Sequence, residues 1–400
     1  MSITRVEIVV VGGGVIGSSI AYHLALQGRE VLVVERSGIA EEPASSWASA
    51  GGVRRQGRHP AEAKLAIESI ERWQTLEEEL EADLHYRRGG NLLLAASDAG
   101  AEQLAAFVQR QQGYGFTDVR LLNRQETHAL VPGLNEQVVA GSYSPSDGQA
   151  DPPRTTRAFA NAAQRHGATF WTGTAALTLL ARNERVTGVQ TERGEVEAEH
   201  VILAAGSWSD ELVASIGKVD SINRRLPIRT RALQMILSTP AQPNILQPVL
   251  SALGRTLSLK QLPGGAFLLG GGWLGDPMPD RRSYTLRPGS IEGNWTTARE
   301  LLPVVGQQSI ARAWCGLEAQ SIDDIPFIGS APGLDGLTLA VGFSGHGFAI
   351  APAVGRAVAD QINGKPTPEL DDLSPSRIAN FDTEQVEAFI TEPARADNLE

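Results

Sequence analysis

The 400-residue sequence predicts a protein of the mixed α/β class (α/β or α+β) with two domains, and three observations support this prediction. The length exceeds what one hydrophobic core usually organises. Residues 8–34 have the pattern of a strand, a helix and a second strand, which is the unit of a parallel sheet. Residues 225–237 and 255–273 have the pattern of antiparallel strands, with turn residues at Pro263-Gly264-Gly265.

The first strand leads into a glycine-rich turn of the dinucleotide-binding type. Residues 8–11 are an unbroken apolar run, as in a strand buried on both faces, and Gly12-Gly13-Gly14-Val15-Ile16-Gly17 follows at the junction with the helix. Gly12 permits the tight turn, Gly14 lets the backbone approach a pyrophosphate, and Gly17 lets the helix pack close to the strand. The helix N-terminus then faces phosphate groups. We therefore predict a Rossmann-type dinucleotide site.

Two further segments extend this predicted site. Glu35, followed by Arg36, ends the second strand at the distance where a carboxylate accepts a hydrogen bond from a ribose hydroxyl. Residues 44–53 are small, hydroxylated and glycine-rich, so they can lie along a pyrophosphate and reach a second ring system. The candidate contacts within this segment are Ser45, Ser46, Ala50, Gly51 and Gly52. The glycine motif leaves FAD and NAD open, and the second segment favours FAD.

Charge and cysteine content narrow the possible partners and location. The net charge of -11 and the pI of about 5.3 argue against nucleic acid and against a stable anchor at an anionic membrane. Residues 6–26 are apolar and about as long as a membrane span, but their four glycines fit a strand, a turn and a helix. Cys315 is the one cysteine, so we predict no internal disulfide, no metal site and a cytoplasmic location.

Four ordered blocks of the sequence resemble the flavoprotein family of D-amino-acid oxidase, glycine oxidase and sarcosine oxidase. The blocks are residues 12–35, 45–53, 201–209 and 312–355. The resemblance implies a discontinuous FAD-binding domain and a substrate domain built on an antiparallel sheet. The implied boundaries are 1–88, 145–222 and 310–366 for the FAD domain, 89–144 and 223–309 for the substrate domain, and 367–400 for a loosely packed or partly disordered acidic tail.

The third and fourth blocks add candidate cofactor contacts. The strand that ends at Ala205 and Gly206, with Trp208 after it, places small residues where larger side chains would clash with a cofactor. Gly345 and Gly347 bracket His346 just before a helix that starts at Phe348. That helix N-terminus would direct amide donors and a positive dipole at the flavin pyrimidine. The alternative for His346 is an ordinary core or surface histidine.

The same resemblance implies hydride transfer from the substrate α-carbon to flavin, followed by hydrolysis of the imine. Glu318 and Ala349 stand where relatives carry a carboxylate-binding arginine and lysine. The remaining candidates to bind a carboxylate are Arg54, Arg55 and Arg58, with Arg229 and Arg231 as weaker ones.

Arginines at one end of the site and Glu318 at the other suit an amino acid with a second charged arm, such as an opine. The Gly-Leu-Glu segment that ends at Glu318 and the run at residues 50–56 are most similar to the β subunits of opine oxidases. His346, Glu318 and Arg54 are the predicted catalytic residues. A structural ion pair between Glu318 and a nearby arginine remains open.

Two alternatives to oxidation of a secondary amine also remain open. They are a D-amino-acid or glycine-type oxidase of primary amines, and a flavin subunit of a multi-subunit amine dehydrogenase. We predict that FAD is bound noncovalently, because Cys315 falls one residue out of step with the attachment cysteine of sarcosine oxidases. Leu268 stands where those enzymes carry a lysine over the flavin, which predicts slow reaction with oxygen.

Overall fold

The computed structural model describes residues 3–216 and 225–392. The strands are Ile3–Val11 (β1), Val31–Val34 (β2), Gly52–Val53 (β3), Asn91–Ala95 (β4), Arg120–Asn123 (β5), Ala140–Ser144 (β6), Gly148–Gln149 (β7), Thr169–Trp171 (β8), Ala176–Arg182 (β9), Arg185–Thr191 (β10), Gly194–Leu203 (β11), Ile228–Pro240 (β12), Val249–Ala252 (β13), Arg255–Gln261 (β14), Ala266–Gly270 (β15), Leu274–Pro277 (β16), Tyr284–Thr285 (β17), Ile310–Ser321 (β18), Phe327–Ser330 (β19) and Leu337–Val341 (β20). The α-helices are Val15–Leu26 (α1), Ser45–Ala48 (α2), Ala63–Arg72 (α3), Leu76–Glu79 (α4), Asp98–Gly113 (α5), Arg124–Leu130 (α6), Pro152–Arg165 (α7), Ser209–Ala214 (α8), Pro288–Leu301 (α9), Gly347–Ile362 (α10) and Thr383–Thr391 (α11).

The first sheet is the predicted Rossmann-type sheet, in the order β19-β20-β11-β1-β2-β8. β20, β11, β1, β2 and β8 run parallel, which brings their carboxyl ends to one edge. β19 pairs antiparallel with β20, and β9 and β10 extend the sheet from β11 as antiparallel strands. Residues 8–11 are at most 3% exposed, in agreement with a strand buried on both faces.

α10 is fixed against this sheet by hydrogen bonds that replace those lost at Pro352. A proline inside a helix donates no backbone hydrogen bond and disturbs its neighbours. The backbone N–H of Ala353 donates to Ser69 Oγ at 3.2 Å, and the carbonyl of Ala349 accepts from Trp73 Nε1 at 2.8 Å. Both contacts join α10 to α3 or the residue after it, which holds the α10 N-terminus in place.

The second sheet has ten strands, in the order β17-β16-β12-β15-β14-β13-β4-β6-β5, with β18 paired to β12. All its pairs are antiparallel except β13 with β4. β14 and β15 form the hairpin predicted around Pro263-Gly264-Gly265. One face of this sheet packs its apolar side chains against α9, and the face that carries Gly316 lies against α2. Together the two sheets confirm the predicted fold class.

Two expectations from the sequence differ from the structure. Residues 310–321 were assigned to the FAD domain, but they form β18 of the second sheet because they pair with β12 over its length. The described part of the tail is ordered as short helices, because Leu373 and Val386 are buried. The expected boundary at 222/223 and the end of the tail, 393–400, lie outside the described residues.

None of the helices in the described ranges is both long and apolar enough to span a membrane.

Candidate functional site

A cavity of about 400 Å³ opens where the parallel strands of the first sheet end. Its walls come from the residues that follow β1, β2, β11 and β20, which is where ligands bind in open α/β sheets. The cofactor candidates in its lining are Gly12, Gly14, Val15, Ile16, Glu35, Arg36, Ser45, Ser46, Ala205, Gly206, Trp208, Gly345, Gly347 and Phe348. Gly17, Ala50, Gly51, Gly52 and His346 are outside this lining.

The three motif positions require glycine for different physical reasons. Gly12 has a φ of +108°, and a Cβ there would lie 2.4 Å from the carbonyl oxygen of Ala204. A Cβ on Gly17 would lie 1.9 Å from the carbonyl oxygen of Gly12. Gly14 has an ordinary φ of -66°, and the one atom within 4 Å of its added Cβ is Ser46 Oγ at 3.2 Å. Gly12 and Gly17 therefore serve the fold, whereas the absent side chain of Gly14 leaves room inside the cavity.

Glu35 is oriented by two backbone amides. Its Oε2 accepts from the N–H of Gly13 at 2.7 Å, and its Oε1 accepts from the N–H of Ser37 at 2.8 Å. Burial raises the pKa of this carboxyl group, and these hydrogen bonds oppose that rise. Each carboxylate oxygen keeps a second lone pair for a hydroxyl from the cavity. Glu35 therefore lines the cavity with free acceptor capacity, at the position where the sequence predicts a ribose-binding acid.

The predicted second segment contributes its serines but not its glycines. Ser46 Oγ accepts from the N–H of Val15 at 2.9 Å, and Ser45 Oγ donates to the carbonyl of Leu317 at 2.9 Å. Gly51 has a φ of +70°, and its added Cβ would lie 2.1 Å from the carbonyl oxygen of Ala150. The glycine is needed by the backbone turn, so the assignment of Gly51 as a cofactor contact has no support from the cavity lining.

The fit of FAD to this cavity depends on its donors and its space. The N-cap residue of α1, Gly14, supplies no side-chain cap, so the first turn of the helix directs its dipole into the cavity. The empty volume beside Gly14 allows a pyrophosphate to approach the backbone. Arg36 lies over the Trp208 ring at 4.2 Å, and both line the same wall. These residues fit a dinucleotide cofactor.

A histidine and a buried glutamate meet at the start of α10. His346 is the N-cap residue of this helix, and its Nδ1 lies 3.1 Å from Glu62 Oε2. The distance is that of an ion pair, although the angle is not that of a hydrogen bond. Burial lowers the pKa of His346, and Glu62 opposes that shift. Burial alone would raise the pKa of Glu62, but His346 and Arg58 outweigh it and lower that pKa.

Glu62, which is fully buried, is a residue of this site that the sequence does not predict. It lies in a 3₁₀ turn that precedes α3, and no motif marks it.

Arg55 is bound to the protein rather than open to a substrate. Its guanidinium forms an ion pair with Asp118 and lies 5.8 Å from the centre of the Phe116 ring. Its backbone N–H donates to Asp147 Oδ1 at 3.0 Å. These contacts give Arg55 a structural role in place of the predicted substrate contact.

Arg58 has an unused donor, as does Arg55 at its buried Nε, but in the described part of the chain Arg58 has no ion pair of its own. Its Nε donates to the carbonyl of Arg54 at 3.0 Å, while its buried Nη1 has no hydrogen-bond partner. Burial lowers the pKa of Arg58 to about 10, and Glu62 opposes this shift. Within the described residues, neither Arg54 nor Arg58 takes part in an ion pair with a carboxylate. A ligand carboxylate would satisfy this buried positive charge.

Glu318 lies at the boundary between the cavity and the second sheet. It lines the cavity, and its Oε1 is 3.5 Å from the position of a Cβ added to Gly345. In the pairing of β12 with β18, Arg231 is directly opposite Glu318. Opposite charges at such positions attract each other. The register therefore favours the alternative in which Glu318 serves a structural ion pair.

Cys315 points away from the cavity. Neighbouring residues of a strand point to opposite faces. A Cβ added to Gly316 would lie 2.4 Å from Ala48 Cβ, on the cavity side, whereas one added to Gly275 would lie 2.6 Å from Cys315 Sγ, on the other side. Burial also raises the pKa of the Cys315 thiol to about 12.

The comparisons with known proteins agree with this site. The family described as FAD dependent oxidoreductase (DAO) matches residues 7–361. The mitochondrial dimethylglycine dehydrogenase of Mus musculus is 28% identical over an alignment of 402 residues that covers 95% of this chain and 45% of that protein. The chain thus spans about half the length of this relative. A glycine oxidase of Pseudomonas aeruginosa is 31% identical over an alignment of 373 residues that covers 90% of this chain and 95% of that enzyme.

A solved structure is also similar to this chain over nearly its whole length. The L-proline dehydrogenase from P. horikoshii matches with a TM-score of 0.86 and 29% sequence identity, covering 95% of this chain and 99% of that chain.

Proposed function

The chain belongs to the DAO family of FAD dependent oxidoreductases, and from this premise we propose that it oxidises the C–N bond of a secondary amine of amino-acid type. Sarcosine-like and opine-like amines are the proposed substrates. Bound FAD would supply the hydride acceptor for this oxidation, and water would hydrolyse the imine product to a carbonyl compound and an amine. The observation that carries the proposal is the buried Nη1 of Arg58, a donor without a hydrogen-bond partner that a substrate carboxylate would satisfy.

The residues of the chain divide the remaining tasks. Arg58, with Arg54 beside it, holds the substrate carboxylate and so orients the α-carbon. The N-terminus of α10 points its dipole into the cavity, where it stabilises negative charge on the cofactor. His346 lies at that N-terminus, and the Glu62 carboxylate contacts and orients its ring.

The names of the relatives support a substituted nitrogen. Dimethylglycine and L-proline each carry more than one carbon on nitrogen, and glycine carries one. Glycine oxidation supports the second candidate, an oxidase of primary amines.

Anaerobic bleaching of the bound flavin tests the proposal. The protein is mixed with sarcosine, L-proline, an opine, glycine and D-alanine in separate experiments. We expect the secondary amines to bleach the flavin faster than glycine and D-alanine. Faster bleaching by both primary amines would overturn the proposal in favour of the second candidate. The variant Arg58→Gln should raise the concentration of amine needed for half-maximal bleaching by about 10- to 100-fold, the range for loss of a charged hydrogen bond.

A flavin subunit of a larger amine dehydrogenase remains a further candidate, because Leu268 stands where sarcosine oxidases carry a lysine. The mass of the protein in solution, together with its reoxidation rates by air and by a dye, tests this candidate. Fast reoxidation by air in a protein that is active alone would exclude it.

A further inference from the structure

A buried lysine that the proposed reaction does not use lies on the second sheet. Lys260 is in β14 and is 5% exposed. It pairs directly with Leu268 of β15, which pairs in turn with Leu237 of β12. Residues that are directly opposite share one face of a sheet. Position 237 is four residues from Leu233, the partner of Gly316, so all of these residues share the face that lies against α2.

Contacts of the segment before α7 place Lys260 next to the arginine loop. Lys260 Nζ donates to the carbonyl of Ala150 at 3.4 Å. The N–H of Ala150 donates to the carbonyl of Gly51 at 2.9 Å, three residues before Arg54. Asp147, in the same segment, accepts hydrogen bonds from the loop that contains Arg54 and Arg58. One short segment therefore contacts both the lysine and the arginine loop.

The ammonium group of Lys260 has unused donors. It carries three N–H bonds, and the contact to Ala150 is long and uses one of them. Within the described residues no carboxylate forms an ion pair with Lys260. Burial lowers the pKa of Lys260 to about 8, and Asp151 opposes this shift weakly. A buried cation without an anionic partner is costly, and a ligand carboxylate would offset that cost.

Other polar atoms on the same face also lack partners. Ser251 is directly opposite Ser258, which precedes Lys260 by two residues on the same face. Asn91 is directly opposite Ser144 on the neighbouring pair of strands. The buried Oγ atoms of Ser251 and Ser144 and the Oδ1 atom of Asn91 have no hydrogen-bond partner. Lys260 thus belongs to a buried polar strip rather than to the apolar core.

We infer that Lys260 binds a second carboxylate of the substrate, so that the substrate is a secondary amine with one carboxylate at Arg58 and another at Lys260. The inference rests on the proposed function, because it requires that the first carboxylate is held by the arginine loop. It narrows the substrate class to amines in which two carboxyl-bearing arms share one nitrogen.

Two matched pairs of ligands test this inference. Iminodiacetate and sarcosine differ in one carboxylate on the N-substituent, and both are offered as reductants of the bound flavin. Thiodiacetate and (methylthio)acetate are the corresponding thioethers, which are not amines, and their binding is followed by the change in flavin absorbance. We expect the wild-type protein to bind thiodiacetate at least about tenfold more tightly than (methylthio)acetate, the scale of one charged hydrogen bond.

The variants are Lys260→Met, which keeps the length of the side chain without its charge, and Lys260→Arg, which keeps the charge. Lys260→Met should remove the preference for thiodiacetate over (methylthio)acetate and for iminodiacetate over sarcosine. The affinity for (methylthio)acetate should stay within about twofold of the wild-type value. Lys260→Arg should retain most of the preference. Leu93→Met is the matched control, because Leu93 is opposite Ser251 on the same face. It should leave the affinities for both thioethers unchanged, because swaps that conserve volume are tolerated.

Equal weakening of both thioethers by Lys260→Met, or no weakening of either, would overturn the inference. If (methylthio)acetate binds and depends on Arg58 but thiodiacetate gains nothing from Lys260, this inference fails and the proposed function stands. If neither thioether binds to the wild-type protein, or if Arg58→Gln leaves both affinities unchanged, the proposed function and this inference both fail.

Discussion

The carboxylate of Asp147 accepts a hydrogen bond of 3.0 Å from the backbone N–H of Arg55. Its second oxygen accepts from the N–H of Gln56 at 3.2 Å, so one fully buried side chain fixes the start of the arginine loop. Burial raises the pKa of Asp147 to about 6, which is the cost of holding a carboxylate there. The two amides therefore orient the loop on which the proposed substrate contact Arg58 depends.

Asp147→Asn should weaken this loop, because an amide offers one acceptor oxygen in place of two. One backbone N–H then remains buried without an acceptor, and the free energy of unfolding should fall by about 1–3 kcal/mol. Unfolding in urea measures the change. Asp118→Asn is the control, since it removes a partly exposed ion pair to the side chain of Arg55 and should cost less. Equal losses in the two variants would contradict the prediction.

Gly14→Val should produce a folded protein that does not bind FAD. The backbone of Gly14 has dihedral angles that any residue can adopt, and its added side chain meets space in the cavity. The purified variant should show a normal circular dichroism spectrum without flavin absorbance. Gly17→Ala is the comparison, because its Cβ would collide with the backbone of Gly12 and should destabilise the fold itself. A yellow Gly14→Val protein would refute the prediction.

FAD should be released when the protein is precipitated with acid. Cys315 lies on the face of the second sheet away from α2, and burial raises its pKa to about 12, so no thiolate faces the cofactor. After centrifugation the flavin absorbance should be in the supernatant, for the wild type and for Cys315→Ser alike. Flavin that stays with the wild-type pellet but not with the Cys315→Ser pellet would show a covalent bond.

Glu318 and Arg231 should be energetically coupled, because they are directly opposite on β18 and β12. In a double-mutant cycle with Glu318→Gln and Arg231→Gln, the coupling in the free energy of unfolding should be about 0.2–1 kcal/mol. Additive losses would leave the alternative that Glu318 binds a cationic arm of the substrate. That alternative requires that Glu318→Gln weakens the binding of a cationic opine and leaves the binding of a neutral analogue unchanged.

The protein should lose stability below pH 6.5 in a way that depends on His23. The His23 Nδ1 contacts the carbonyl of Ser19 at 2.9 Å and its Nε2 contacts Arg72 Nη2 at 2.8 Å, and burial lowers its pKa to about 3. Between pH 6.5 and 3 the unfolded chain binds a proton that the folded protein does not bind. The stability from this group is therefore present above pH 6.5 and falls by about 1.4 kcal/mol per pH unit below it.

Urea unfolding at several pH values measures this slope. His23→Gln should reduce the slope between pH 6 and 4 (roughly the centre of that window) relative to the wild type. An unchanged slope would rule out the assigned role of His23.

The amino-acid sequence predicts the nucleotide-binding half of the site from signals that are local in the chain. The turn from Gly12 to Gly17, the acid Glu35 and the glycines beside His346 each lie within a few residues of a strand end or a helix start. Backbone sterics and helix termini act over that same range, so a motif can report them. Most of these local signals lie in the lining of one cavity at the ends of the parallel strands, whereas the flexibility of Gly51 serves a backbone turn.

The substrate half was decided by tertiary structure, because its interactions join residues that are distant in the chain. Asp118 forms an ion pair with Arg55, which therefore is not available to bind a substrate carboxylate. Glu62 contacts His346 from a distant segment of the chain. Lys260 faces the α2 side only because of the register of β14 with β15, and a shift of one residue would turn it to the opposite face. Charge in a buried site depends on which partners packing brings within a few ångströms, and no local pattern carries that information.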